Sequence, residues 1–377
     1  MPQAIHSPGR AGRVSLPLDG NENTPGPRGA IVSIGNRRLE PDSLRGLARG
    51  WLIDNQVNVA NLCFYVPGSA LMQTPHQQPL ENVSVIVVNY NAGDLLLQCV
   101  EAALAQAAQV VVVDNDSTDG SFLRLAQTYP NEVRLQFIRS GGNVGFAAGC
   151  NAGVKGAFCD NLLFLNPDCI LSHGALRRMV AAISSAQDVG MVGGLLINTD
   201  GTEQGGGRRA VPTPWRSFVR AFGLSRLSPR WPRLFFDFHL HQQPLPDKPI
   251  DVEAISGALM LVKRAAIDDV GPWDEAYFLH CEDLDWCMRF RQRNWRILFV
   301  PDAPVIHHLG HSSKARPFFV EWHKHKGMVR FYQKFFSHQY PGILMWVVRL
   351  GVWFRFGLVS VRHTVLWVKT WLGAGGG

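Results

Sequence analysis

Reactive side chains stand directly after apolar, strand-like runs at several places in this 377-residue chain. VSVIVVN (83–89) leads into Asn89-Tyr90-Asn91, and VVVV (110–113) leads into Asp114-Asn115-Asp116-Ser117-Thr118-Asp119-Gly120. An Asp ending a second strand can accept hydrogen bonds from a nucleoside's hydroxyls or base. The same residue types also make a turn followed by a helix cap. LLFLNPDC puts Asn166 and Asp168 behind another strand, where a carboxylate can hold a divalent cation that bridges a diphosphate. His307 and His308 follow ILFVPDAPVI. Imidazole, carboxylate and phosphate oxygens together suit manganese or another transition ion, and magnesium less naturally. A histidine pair after a strand also serves packing.

Two more segments carry chemistry. Gly141-Gly142-Asn143-Val144-Gly145-Phe146-Ala147-Ala148-Gly149 enters a helix, and its glycines allow close backbone approach to a ligand or simply tight packing. PWDEAYFLHCEDLDWCMRFRQRNW holds Asp274, Glu275, Glu282, Asp283 and Asp285. Glu282 and Asp283 suit the first turn of a helix, and they also suit a general base that deprotonates a hydroxyl. Neighbouring acids raise each other's pKa, which helps a base working near neutrality. A calcium loop is excluded, because Gly120 sits one place late and Leu125 stands where a bidentate Glu belongs. Neither G-x-G-x-x-G nor G-x-x-x-x-G-K-[ST] occurs.

The elements that must position these groups alternate. Strand-like runs at 83–89, 110–113, 134–138 and 162–165 are separated by helical patterns at 94–108, 121–129, 146–156 and 172–186. Ser117 or Thr118 is the expected cap of the second helix. Such alternation predicts a mostly parallel α/β sheet with helices on both faces and a ligand site outside the carboxyl ends of the strands.

Composition sets the frame. With 46% hydrophobic residues, 21 Phe and 11 Trp, the chain can bury a core, so disorder throughout is excluded. Seven scattered cysteines without C-x-x-C spacing argue against a disulfide framework or zinc ribbon and for a reducing cytosol. No signal-peptide core and no stretch of about 18 uncharged apolar residues is found. Residues 1–80 carry a net charge of +2, residues 81–313 carry −4, and residues 314–377 carry +9. Seven arginines between Arg208 and Arg233 face no acid. That distribution predicts an anionic partner surface.

The ordered set VSVIVVNYN, VVVVDNDSTDGS, GGNVGFAAGCNAGV, LLFLNPD, ISGALMLVKR, WDEAYFLHCEDLDWCMR and VPDAPVIHHLGHSS resembles the family 2 glycosyltransferases of the GT-A fold, in particular the bacterial rhamnosyltransferase-like branch. The resemblance implies a nucleotide-sugar donor across the strand ends. It makes Asn91, Asp114, Asn143, Gly145, Asn166 and Asp168 nucleotide-sugar-binding residues. Asp168 and His307 would hold a divalent cation (Mn or Mg), with His308 the fallback and Asn166 replacing the first acid of the usual D-x-D. Gly310 and Ser312 complete an H-x-x-G-x-S pattern. Glu282 and Asp283 become the catalytic pair, Asp283 the base, and Trp273 replaces a common Phe at a position expected to shape the pocket.

The implied reaction is inverting transfer, with L-rhamnose from dTDP-L-rhamnose the expected donor, to a glycan or lipid-linked glycan acceptor in cell-surface polysaccharide synthesis. The expected organisation is an N-terminal extension (1–80), a GT-A catalytic domain (81–313) and basic, amphipathic C-terminal helices (314–377). A cytoplasmic protein, peripheral on the inner face of a bacterial plasma membrane and binding no nucleic acid, is the expectation. A glycoside hydrolase, a nucleic-acid-binding module and an inactive glycosyltransferase-like scaffold are the rival readings, none of which explains the whole ordered set. Within 343–371, too interrupted by charge for a comfortable span, Trp346, Trp353 and Trp367 recur at seven opposite Arg355, Arg362 and Lys369. A helix lying in the membrane interface is expected there.

Overall fold

The computed structural model describes residues 80–236, 238, 240–308 and 316–374, with side chains inside 82–365. It also describes an antiparallel pair of short strands, Ser33–Ile34 and Arg37–Arg38. Contacts divide the chain into Met1–Met72 and Gln73–Gly377, and the second unit holds every element named below. The rest of the expected extension, and Gly310 and Ser312, lie outside the described residues.

The first half alternates as the patterns require: β1 (Leu80–Asn89), α1 (Leu95–Leu104), β2 (Ala107–Asp114), α2 (Ser121–Thr128), β3 (Leu135–Arg139), α3 (Phe146–Gly156) and β4 (Asn161–Leu165). There follow β5 (Cys169–Leu171), α4 (Ala175–Ile183), β6 (Val189–Ile197), β7 (Arg208–Arg209) and α5 (Pro214–Ala221). The chain continues through β8 (Ile250–Asp251), β9 (Ala254–Ile255), β10 (Leu259–Lys263), α6 (Arg264–Val270), α7 (Glu282–Gln292) and β11 (Arg296–His307). It ends in α8 (Pro317–Phe336) and α9 (Ile343–Ala374).

One nine-stranded sheet runs in the order β8-β11-β6-β10-β4-β1-β2-β3, with β5 also paired to β11. β3, β2, β1 and β4 are mutually parallel, as expected for strands joined by helical crossovers. β10 runs antiparallel to both β4 and β6, so the sheet is mixed. No single helix joins β6 to β10: a long irregular stretch intervenes, so nothing forces the chain to return parallel. β1 is buried on both faces. Val85 and Val87 pack with Leu96, Cys99 and Val100 of α1, while Ile86 and Val88 join the core that holds Phe164, Trp273 and Trp286. Each such side chain contributes on the order of 2 kcal/mol of burial.

Some expected boundaries move. α1 stops at Leu104, because Ala107 already pairs in β2 as the partner of Leu80. α2 is preceded by Gly120, and Asp119 accepts the Ser121 N–H at 3.0 Å, so neither Ser117 nor Thr118 is its cap. Trp273 is buried in the core against Trp286, ring centroids 4.1 Å apart, and its ring meets Phe146 at 5.7 Å.

The tail also differs from expectation. Ile343–Val365 is long and apolar enough to cross a membrane by length and composition, with Arg349, Arg355 and Arg362 inside it. Met345 and Val352 are buried on the side turned to α8, where Trp353 meets Trp322 at 5.0 Å. The opposite side exposes Val347, Leu350, Phe354, Leu358, Val361 and Val365, spaced by three and four residues. Arg355 and Arg362 flank this stripe at about a quarter turn and do not oppose it. The side chains of Trp367 and Lys369 lie outside the described residues.

Candidate active site

In-register pairing of β1 with β2 sets Asn89 beside Asp114 at the strand ends. Asn89 Nδ2 lies 3.0 Å from Asp114 Oδ1, 2.9 Å from Ser117 Oγ and 3.0 Å from Ser121 Oγ. Asn91, with φ 53°, accepts the Thr118 N–H at 2.8 Å and the Asp119 N–H at 3.3 Å through Oδ1. Asp119 in turn accepts the Gly93 N–H at 2.8 Å. These bonds fasten the β1–α1 loop to the β2–α2 loop. Asn91 and Asp114 therefore brace the wall, whereas Tyr90 and Asn115 line the adjoining cavity.

That cavity, about 380 Å³, opens where β1, β4 and β11 end. Among the expected residues it brings together Asn143, Gly145, Asn166, Asp168, Glu282, Asp283 and His307, and does not include Asn91 or Asp114. His308 is absent from its lining too, and its backbone N–H donates to the Asp168 carbonyl at 2.9 Å. Gly145 is required twice: its φ is 88°, and a Cβ there would stand 2.6 Å from the Phe278 carbonyl oxygen.

The β5–β11 ladder pairs Cys169 with His307 and so draws Asp168 to the imidazole. Asp168 Oδ1 lies 3.2 Å from His307 Nε2. Gln204 fixes the ring. Its amide nitrogen donates to Asn198 Oδ1 at 3.1 Å and to the His307 carbonyl at 3.4 Å, which leaves its Oε1 to accept from His307 Nδ1 at 2.6 Å. With Nδ1–H committed, Nε2 is left facing the carboxylate oxygen, and the two atoms could hold a cation between them. Cys169 completes a group of possible ligands with Asp168 and His307. Burial, then the Asp168 charge, hold the Cys169 thiol well above its usual range, and its Sγ lies 3.6 Å from the Ala258 carbonyl. Of these three groups, Asp168 and His307 line the cavity, whereas Cys169 does not.

The opposite wall is built on strained backbone. His280 and Cys281 have φ of 68° and 71°, left-handed values that neither side chain favours. Helix α8 packs against this turn through Gly327, where a Cβ would stand 2.8 Å from the His280 carbonyl oxygen. The turn delivers Glu282 and Asp283 as the opening of α7. Burial pushes the Glu282 carboxyl up to about 8, with the Asp283 charge adding to it, and Glu282 Oε2 has no hydrogen-bond partner among the described residues. Asp283 Oδ2 accepts from the Gly257 N–H at 3.1 Å and forms a short ion pair with Arg209. The nearby acids serve the frame. Asp285 pairs with Arg289 and Lys334, Asp274 with Arg330 and Lys334, and Glu275 accepts from Asn151.

Arg209 and Gln204 line the cavity beside the expected residues, and motif reading passed them over. The one available signal is the run Glu203-Gln204-Gly205-Gly206-Gly207-Arg208-Arg209, in which three glycines bring the chain to the cavity edge.

A mixed sheet of this order, with a carboxylate–imidazole pair and an acidic helix start facing one cavity at its strand ends, is the GT-A fold of nucleotide-sugar-dependent glycosyltransferases. The description "Glycosyltransferase like family 2" matches residues 79–319, and the chain belongs to that family. It is 30% identical over 279 residues to N-acetylglucosaminyl-diphospho-decaprenol L-rhamnosyltransferase of Mycobacterium tuberculosis, covering 70% of this chain and 88% of that one. Rhamnosyltransferase WbbL of Escherichia coli is 27% identical over 255 residues, 64% of this chain and 89% of that protein. GalNAc-T7, solved with UDP, GalNAc and Mn2+, aligns with a TM-score of 0.50 at 19% identity over 68% of this chain and 48% of that one, a likeness of fold.

Proposed function

We propose that the protein transfers L-rhamnose from dTDP-L-rhamnose, with inversion, to a sugar carried on a polyprenyl diphosphate. The observation that carries this reading is the pairing of Asp168 and His307 with Asp283 and Arg209 in one cavity. The names of the two bacterial relatives support the choice of sugar, and the mycobacterial name supports the acceptor.

In this reading Tyr90, Asn115, Asn143, Gly145 and Asn166 bound the donor, while Asp114 and Asn91 hold the loops beneath it. Asp168 and His307 would hold a divalent cation, manganese or magnesium, which neutralises charge on the diphosphate. Asp283 takes the proton from the acceptor hydroxyl. The oxygen then bonds to the anomeric carbon as the bond to the diphosphate breaks and its electrons leave with the nucleoside diphosphate. Asp283 can act only once Arg209 loosens its hold, and an incoming diphosphate is the anion able to compete for that guanidinium.

Residues 81–313 form the catalytic domain, and 314–377 attach it peripherally to the cytoplasmic face of the membrane through the exposed stripe of α9. The test is transfer by the full chain from dTDP-L-rhamnose, UDP-sugars and GDP-sugars to a polyprenyl-diphosphate-linked N-acetylglucosamine, with and without manganese. Metal-dependent transfer from dTDP-L-rhamnose is expected. Transfer from another donor alone would replace the sugar assignment, and sugar release without any nucleotide donor would replace the reaction.

A further inference from the structure

Of the seven arginines from Arg208 to Arg233, Arg220 lies over the Phe238 ring at 5.6 Å and the other six divide in two. Arg208, Arg209 and Arg216 pair with Glu203, Asp283 and Glu253. Arg226, Arg230 and Arg233 are exposed and have no ion pair among the described residues. The same stretch exposes Trp215, Phe218, Phe222, Leu227, Trp231 and Leu234, with Phe222 at 69% and Leu234 at 55%. The aromatic rings are contiguous: Trp215 stacks on Phe218 at 5.6 Å, and Phe218 meets Phe222 at 4.5 Å. Phe235 bridges Trp215 and Trp231 at 6.5 and 6.1 Å.

This patch is built, not loose. Thr213 caps α5 by accepting the Arg216 N–H at 3.1 Å, and Trp215 Nε1 donates to the Leu234 carbonyl at 2.7 Å. Val219, on the other face of α5, is fully buried, and Ser217 meets the Tyr332 hydroxyl of α8 at 2.7 Å. Helix α5 is therefore fastened to the helix that also carries α9. Its aromatic side remains uncovered by any described part of the chain.

We infer that the segment 214–234 is a second membrane-contacting surface, seated on a bilayer of anionic phospholipid. Tryptophan and phenylalanine among arginines, without an acid, match the headgroup region, where rings enter the apolar boundary and guanidinium groups meet lipid phosphates. A nucleic acid would answer the arginines but leave Leu227 and Leu234 in water. This deepens the attachment reading of α9, yet rests on different residues. One weak anchor gives only marginal, reversible binding, and stable attachment takes two signals.

The test is co-sedimentation of the full chain with vesicles of phosphatidylglycerol and phosphatidylcholine in equal parts, and with phosphatidylcholine alone. Arg226→Glu/Arg230→Glu/Arg233→Glu is expected to bind the anionic vesicles about 100-fold more weakly, as follows from roughly a fivefold loss for each of the three basic residues. Phe222→Ser/Trp231→Ser is expected to weaken binding to both vesicle types, with the thermal transition unmoved. Anionic-vesicle binding unchanged in both variants would overturn the proposal. So would an oligonucleotide bound by the wild type more tightly than vesicles and lost in the arginine variant. Leu350→Glu/Phe354→Glu in α9 separates the two readings. If it alone abolishes binding, the tail reading stands and this one falls. If it binds as the wild type does and the 214–234 variants do not, this one stands and the tail reading falls.

Discussion

The two walls of the cavity are built on opposite principles. The β1–β2 side is a network of mostly neutral side chains in which Asn89, Asn91, Ser117 and Ser121 answer one another around Asp114 and Asp119. The α7 side is charged and strained, with Glu282 buried, Asp283 paired with Arg209, and two consecutive left-handed residues leading in. A network of this kind is rigid before a ligand arrives and changes little when it binds. A half-buried ion pair open to the cavity can exchange partners, because a new anion can replace the carboxylate without stranding the arginine. In the proposed reading, donor geometry is thus fixed in advance on one side, while reactivity is held back on the other.

The largest effect that would break this contrast falls on the first wall. Asn89→Ala leaves buried acceptors without their shared donor and is expected to destabilise by about 2–3 kcal/mol, read by chemical denaturation. A loss below about 0.5 kcal/mol would show that the wall does not depend on the network.

The second wall carries a pH signature. Because Glu282 is pushed from 4.5 to about 8, the folded chain keeps a proton that the unfolded chain releases. Stability therefore falls as pH rises through that window. Glu282→Gln is expected to flatten the slope and to raise the melting temperature at pH 8 while changing little at pH 4.5. Equal slopes for variant and wild type would remove the strained carboxyl from the account.

The smallest effect belongs to the frame behind that wall. Asp274 lies below its ordinary 3.8, at about 2: burial opposes the shift, and Lys334 and Arg330 more than offset it. Its contribution is present above that ordinary value and lost as pH falls from about 4 to about 2. Arg330 is 44% exposed. Arg330→Ala is therefore expected to cost about 0.5 kcal/mol at neutral pH and nothing at pH 2, measured as the difference in melting temperature.

What could be read in the sequence follows from how local each signal is. β4 and β11 are announced by apolar runs, and the start of α7 by two acids. Those elements carry Asp168, His307 and Asp283 to the cavity. The limit of α1 was hidden because Ala107 continues a helical spacing while the sheet claims it for pairing. Asp114 and Asn91 have the right types at the right strand ends, yet a turn network and a ligand contact demand the same residues. Arg209 is invisible because it meets Asp283 across 74 residues, through a two-residue ladder of β7 with β9. Gln204 meets His307 across 103 residues in the same way. The exposed stripe of α9 was misplaced because a seven-residue recurrence of tryptophans gives no sign of which side α8 covers.

The most direct measurement is single-turnover transfer beside donor binding for Asp283→Asn, which keeps an oxygen for Arg209 and Gly257 but loses the base together with its charge. The account expects dTDP-sugar affinity equal to or tighter than that of the wild type and transfer slower by about 10²–10⁴-fold. Near wild-type transfer would contradict it and move proton removal to another group, and donor affinity lost in step with transfer would make Asp283 a binding residue instead.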